Sequence, residues 1–332
     1  MFAQYLLFAA EVFTLIIGIL VLLIGIFSIA SKNKNRDQGQ LRIKKLNKKY
    51  EAMHDILSQE ILDKAQYKQL LKAQKKQQKI KLDSSTARKR IFVITFIGDI
   101  RASAAKSLRE EITGLLTLAT PEDEIVLRLE SAGGMVHAYG LAASQLQRIR
   151  NHQVPLVVII DKIAASGGYM MAAVANRILA APLAILGSLG VIAQVPNFHR
   201  LLKKNDIEFE QIMAGQYKRT LTLFGENTEQ GREKFQEEVN ETHHLFKAFL
   251  LENRPSLDIE KVATGEHWYG TPALALHLID GISTSDDYLL SASKTADIYE
   301  ICYQPKKTWV DKLSHHATKV YDACLNKMNF IF

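Results

Sequence analysis

Three short apolar runs, each separated from the next by a segment of helix length, constrain this fold more than any other feature of the chain. Residues 90–97 (RIFVITFI), 124–129 (EIVLRL) and 156–160 (LVVII) are rich in β-branched side chains and too short for buried helices. They read as strands covered on both faces. Between them, residues 102–118 and 135–150 carry the spacing of amphipathic helices. Strands alternating with such helices build βαβ units, so an α/β fold with a largely parallel sheet is expected. A short buried helix is expected over 170–175 and an alternating strand over 207–213. A long amphipathic helix is expected over 228–252, with Thr228 as its N-cap. Residues 286–332 lie in a weakly patterned stretch and are expected to be peripheral.

Two of the strands end in glycine pairs. Residues 130–134 read Glu-Ser-Ala-Gly-Gly, and residues 164–168 read Ala-Ala-Ser-Gly-Gly. Ligands of a parallel sheet gather at the carboxyl ends of its strands. Glycine there lets bare backbone N–H groups face a ligand, and a following helix N-terminus adds a favourable dipole. A pair of such N–H groups can hold a developing oxyanion. Ser166 stands at the start of a helix beside Gly167, where a nucleophile belongs if the next amide is an oxyanion donor. The competing reading is two tight turns that need glycine, with the serines as helix caps. Ser131 reads better as part of an oxyanion loop than as a rival nucleophile. Neither glycine pair matches a dinucleotide or P-loop fingerprint. The two cysteines, Cys302 and Cys324, have no metal-binding spacing. No histidine is marked as a base by its surroundings. A lysine can serve when neutral, and Lys218 follows the expected strand and Gly215, but on spacing alone it is one lysine among many.

The N-terminus points to a membrane. Residues 12–30 carry no charge and are mostly Ile, Leu, Val and Gly, enough for a helix to span a hydrocarbon core. No Lys or Arg precedes the run, which favours an uncleaved anchor over a signal peptide. The formal net charge of +7 is unevenly spread: residues 31–90 hold 18 Lys/Arg against 6 Asp/Glu. The basic excess directly follows the apolar run, where anionic headgroups would lie, and this disfavours a nucleic-acid role. The same flank favours a cytoplasmic C-terminal side. Residues 41–82 look helical and polar, as a solvated stalk would. The expected organisation is an anchor over 1–30, a basic stalk over 31–89, a catalytic domain over 90–285 and a peripheral segment over 286–332.

The stretch 161–169 around Ser166 resembles the nucleophile motif of the signal peptide peptidase A family, membrane-bound serine–lysine peptidases of the ClpP/crotonase fold. Residues 130–134, 187–191 (GSLGV), 214–218 (AGQYK), 265–270 (GEHWYG) and 273–282 match further motifs in the family's order. The single catalytic unit and single membrane segment resemble the shorter, inner-membrane branch of the family rather than its long form with two tandem units.

The resemblance implies Ser166 as nucleophile, Lys218 as general base and Ser188 as the serine that orients the lysine. It implies the N–H groups of Gly134 and Gly167 as the oxyanion hole, with Gly133 as their neighbour. It also implies hydrophobic peptide substrates such as signal-peptide remnants, a bacterial inner-membrane location, no metal or cofactor, and a ring-like homo-oligomer. In the long form the serine and lysine come from different tandem units, so here a neighbouring subunit would complete the pair. The family commonly has Asn-Ser-Pro-Gly-Gly where this chain has Glu130-Ser131-Ala132-Gly133-Gly134, which brings a negative charge toward the site. A crotonase-like acyl-thioester enzyme and an inactive membrane scaffold are the alternatives.

Overall fold

The computed structural model describes residues 12–19, 39–83 and 88–305. The chain divides into two compact units, one of residues 1–41 with 303–332, the other of residues 42–302. In the first, residues 12–19 are helical, and the Gly39 amide donates to the Tyr303 hydroxyl at 2.9 Å. The remainder of the apolar run, residues 20–30, lies outside the described residues. Among the described residues no helix is long and apolar enough to cross a membrane.

The second unit holds the parallel sheet that the strand pattern predicts. Its centre is β2 (Lys89–Ile97), β3 (Glu124–Glu130) and β4 (Leu156–Ile160). These pair in parallel, with Ile91 opposite Glu124 and Ile125 opposite Leu156. Side chains alternate across the sheet with the two-residue period of a strand. Phe92, Ile94, Phe96, Ile125, Leu127, Leu129, Leu156, Val158 and Ile160 face one core. Ile91, Val93, Val126, Val157 and Ile159 face a second, smaller one. Both faces are therefore covered, and burying each such side chain contributes about 1.5–3 kcal/mol. The larger core is closed by α3 (Ala105–Leu116), α4 (Val136–Asn151) and α5 (Gly167–Ala173). In α4 the buried residues Tyr139, Ala142, Ala143, Leu146 and Ile149 follow helical spacing.

On the far side of β4 lie β6 (Arg177–Ala180) and β9 (Gly281–Ile282), both parallel to it. A separate three-stranded sheet sits at the carboxyl end, with β5 (Ile163–Ala165) parallel to β7 (Ile185–Gly187) and β7 antiparallel to β8 (His267–Tyr269). The long helix α7 (Glu229–Asn253) begins as its sequence predicts, with the Thr228 hydroxyl accepting from the Gly231 amide at 3.1 Å.

Three expectations are corrected. The segment 41–82 is not one helix: β1 (Gln40–Lys45) precedes α1 (Leu46–Ile61), and a break at Leu62-Asp63 precedes α2 (Lys64–Asp83). Leu46 and Asn47 are buried, so the first turn of α1 belongs to the domain. The C-terminal region is not wholly peripheral. After α10 (Ser285–Ala292), strand β10 (Ala296–Gln304) enters the main sheet between β1 and β2, with Ile298 opposite Ile91 and fully buried. Asn47 holds it there: its amide donates to Ala296 O at 2.9 Å, and its oxygen accepts from the Ile298 amide at 2.7 Å. Finally, residues 207–213 form no strand. No neighbouring strand offers a ladder to their backbone, and Ile212 is 96% exposed.

Candidate active site

Strand β5 ends at Ala165, and the chain turns within one residue into α5. That residue is Ser166, with φ 51° and ψ −119°. A side chain in this region costs about 1–3 kcal/mol of strain, and a sharp strand-to-helix turn of this kind presents a side chain outward. The Ser166 amide extends the β5–β7 ladder, donating to Gly187 O at 2.7 Å, and its carbonyl accepts from the Met170 amide at 2.9 Å. Its hydroxyl makes no hydrogen bond to α5, so the side chain is not serving as a cap. Ser166 is partly exposed while Gly167, Gly168 and Tyr169 behind it are buried.

The loop after β3 closes against this turn. Ser131 donates its amide to Ile163 O at 2.9 Å and accepts from the Ala165 amide at 3.0 Å. Gly133 has φ +91°, and a Cβ there would press on Ala165 O, the Gly167 amide and Ser166 Cβ, each at 2.8 Å. The position is open only to glycine, for both conformation and space. Gly134 is equally confined, because a Cβ would overlap the carbonyl of Ile100. The Gly133 amide donates to Ser131 Oγ at 3.1 Å. Among the described residues the amides of Gly134 and Gly167 have no such acceptor. Two uncommitted N–H groups therefore flank an uncommitted serine hydroxyl.

Ser188 follows Gly187 at the end of β7, which is in register with Ala165. Ser166 and Ser188 thus lie side by side at the ends of two parallel strands. Ser188 also has φ 51°, and its amide donates to Glu266 O at 2.6 Å. Glu130 forms an ion pair with Lys162 at 3.0 Å on an exposed face, so its charge is matched locally. Asp161 accepts from the amide and hydroxyl of Ser285 at 2.8 and 2.6 Å, which fixes the start of α10.

Lys218 lies in the segment that joins β7 to α7. It is exposed, one turn after Gly215, and its amide donates to Gly215 O at 3.1 Å. It lines a groove of about 730 Å³ with Val195, Phe209, Tyr217, Phe224 and Phe235, and none of Gly133, Gly134, Ser166, Gly167 or Ser188 lines that groove. Within one chain the structure gathers the serines and the glycines, and the lysine lines a groove that includes none of them. Sequence reasoning missed Tyr139. This fully buried tyrosine donates to Asp99 O at 2.7 Å and meets Ser131 Oγ at 2.5 Å. Nothing in the pattern of α4 marks it, since a tyrosine at a core-facing position reads as packing.

A parallel α/β sheet with a strained serine and free amides at its carboxyl end is an arrangement suited to acyl transfer, and the comparisons with known proteins give the family. The chain belongs to peptidase family S49: it matches Peptidase family S49 N-terminal over residues 1–146 and Peptidase family S49 over residues 148–299. It is a serine peptidase. It is 46% identical over 325 residues to a probable protease SohB of Haemophilus influenzae, covering 94% of this chain and 92% of that one. It is 45% identical over 327 residues to a probable protease SohB of Buchnera aphidicola, covering 98% of this chain and 97% of that one. Among solved structures, the 1510-N membrane-bound stomatin-specific protease with a substrate peptide is similar at a TM-score of 0.44 and 14% identity, over 70% of this chain and 100% of that one.

Proposed function

We propose that the protein is a membrane-anchored endopeptidase that cleaves apolar peptides at the membrane with a Ser166–Lys218 dyad. One observation carries the reading: Ser166 holds a strained backbone and an unbonded hydroxyl beside the unbonded amides of Gly134 and Gly167. In the proposed cycle neutral Lys218 takes the Ser166 proton as the serine oxygen attacks a peptide carbonyl. The two amides stabilise the oxyanion, and Ser188 orients the lysine. The protonated lysine then gives its proton to the leaving amine, the C–N bond breaks, and water releases the acyl group.

A lysine acts as a base only when neutral, and desolvation favours the neutral form. The Lys218 groove is open and aromatic, and a neighbouring subunit covering it would supply both desolvation and a serine. The reading therefore includes a ring-like homo-oligomer. The apolar run 12–30 and the basic residues after it support anchoring in an anionic bilayer. The substrates are apolar peptides such as signal-peptide remnants.

The test is labelling with a serine-directed phosphonate followed by mapping of the adduct. The expected result is a single adduct on Ser166, absent from Ser166→Ala, together with loss of cleavage of an apolar peptide. Cleavage at the parent rate by purified Ser166→Ala overturns the proposal.

A further inference from the structure

We infer that Tyr139 and Ser131 are positioning residues that lock the two halves of the oxyanion site, the 131–135 loop and the first turn of α5, at a fixed separation. The inference deepens the serine-peptidase reading of Ser166 and rests on it.

The polarity of the hydrogen bonds is determined. The Tyr139 hydroxyl has one proton and gives it to Asp99 O at 2.7 Å. In the 2.5 Å contact between Ser131 Oγ and Tyr139 Oη, the serine must therefore be the donor. Its lone pairs are then free to accept the Gly133 amide at 3.1 Å. A directed chain results, from Gly133 N–H through the Ser131 and Tyr139 hydroxyls to the Asp99 carbonyl. Burial lifts the Tyr139 phenol above its ordinary value, so the donor stays protonated.

The same tyrosine supports the other half of the site. A Cβ on Gly167 would overlap Tyr139 Cγ, so the ring lies against the backbone that carries the Gly167 amide. The segment receiving the chain is itself tied to the loop, because Ile100 O accepts from the Met135 amide at 2.8 Å. One buried side chain thus touches the supports of both free amides. Oxyanion donors act only at hydrogen-bond distance from the developing charge, and a misplacement of about 1 Å costs on the order of 100-fold in rate.

The experiment uses the full chain in detergent, with an internally quenched apolar peptide as substrate and a peptide boronate as a tetrahedral mimic. Tyr139→Phe keeps the ring against Gly167, and Ser131→Ala keeps the loop. Each is expected to lower kcat about 10- to 100-fold with little change in KM, and to weaken the boronate in proportion to kcat/KM. The double variant is expected to lose far less than the product of the single losses, because both break one chain. Should Tyr139→Phe fail to fold, Ser131→Ala carries the same expectation alone. The inference is overturned if the folded variants keep the parent kcat, if only KM changes, or if the losses multiply. Phosphonate labelling of the parent separates the two levels. A parent not labelled at Ser166 removes the nucleophile reading, whereas a labelled parent with unimpaired variants removes the positioning role alone.

Discussion

At Ser166 the chain holds a non-glycine residue at φ 51° and ψ −119°, a conformation that glycine adopts without penalty. The position is therefore expected to trade stability for chemistry. Ser166→Gly should be more stable than Ser166→Ala by about 0.5–2 kcal/mol, the relief of strain less the greater chain entropy of glycine. Both should be inactive, and paired thermal unfolding curves with a turnover assay check this. A higher unfolding temperature for Ser166→Ala would show that the turn stores no strain. The opposite holds at Gly134, where a Cβ would overlap backbone rather than a movable side chain. Gly134→Ala should lower stability by about 1–3 kcal/mol and reduce kcat more than it raises KM. Lys218 offers a third contrast. Arginine keeps the charge but cannot give up its proton at working pH, so Lys218→Arg should be as inactive as Lys218→Ala, whereas a solvated structural lysine would tolerate the exchange. Near-parent turnover by Lys218→Arg would remove the lysine from the mechanism.

Among the elements, the joint between α7, β6 and β9 depends on one ion pair. Arg254, at the end of α7 with only 9% of its side chain exposed, grips Asp280 through two bonds of 2.9 and 2.8 Å. Asp280 also accepts from the Ile178 amide at 2.7 Å. Burial alone would push the Asp280 carboxyl upward, but the bonds from Arg254 and Ile178 outweigh it and hold the carboxyl below the usual range. A folded-state pKa lowered in this way contributes stability above the unfolded value and loses it as pH falls through the folded value, so the loss begins below about pH 4. Asp280→Asn should flatten the acid limb of the stability curve. At neutral pH it should cost at the low end of about 3–5 kcal/mol, since the remaining arginine is buried but Asp280 was one-third exposed. Denaturant unfolding across pH measures both, and a parallel shift of the curve without flattening would be the contrary result. The elements also show what the sequence pattern can carry. Strands β2 to β4 and helix α7 were legible because their periodicity and the Thr228 cap are local. Strand β10 was not, because Asp297 and Glu300 interrupt its apolar run, and their charges are matched only in the fold, by Lys45 at 3.1 Å and by Arg128. Residues 207–213 alternate as a strand should, yet a strand exists only beside a partner. In the candidate site, the sharp turns at the glycine pairs and Ser166 were legible because turn chemistry is local. The Tyr139 chain was not, since it joins Ser131 to a carbonyl 40 positions before the tyrosine.

For the whole molecule, the proposed dyad requires that Ser166 meet Lys218. Ser166, Ser188 and the free amides lie at the strand ends, whereas Lys218 lines a groove that contains none of them. The groove that holds Lys218 exposes Val195, Phe209, Tyr217, Leu223 and Phe224, and apolar side chains clustered on a surface mark an interaction site. Closed rotational symmetry would set the lysine of each subunit against the serine of the next, with the same heterologous contact at every junction. Mixing tests the arrangement. Ser166→Ala and Lys218→Ala proteins are each expected to be inactive alone. Co-assembled in equal amounts, they should recover activity, because about one junction in four then joins an intact serine to an intact lysine across a heterologous contact. The recovered rate should follow the product of the two subunits' proportions, highest at equal amounts and falling to zero at either extreme, which a contaminating protease would not do. Verified mixed oligomers without activity, or a stable monomer with full activity, would show instead that serine and lysine act within one chain, and residues 191–227 would then have to fold back onto the strand ends to bring Lys218 to Ser166.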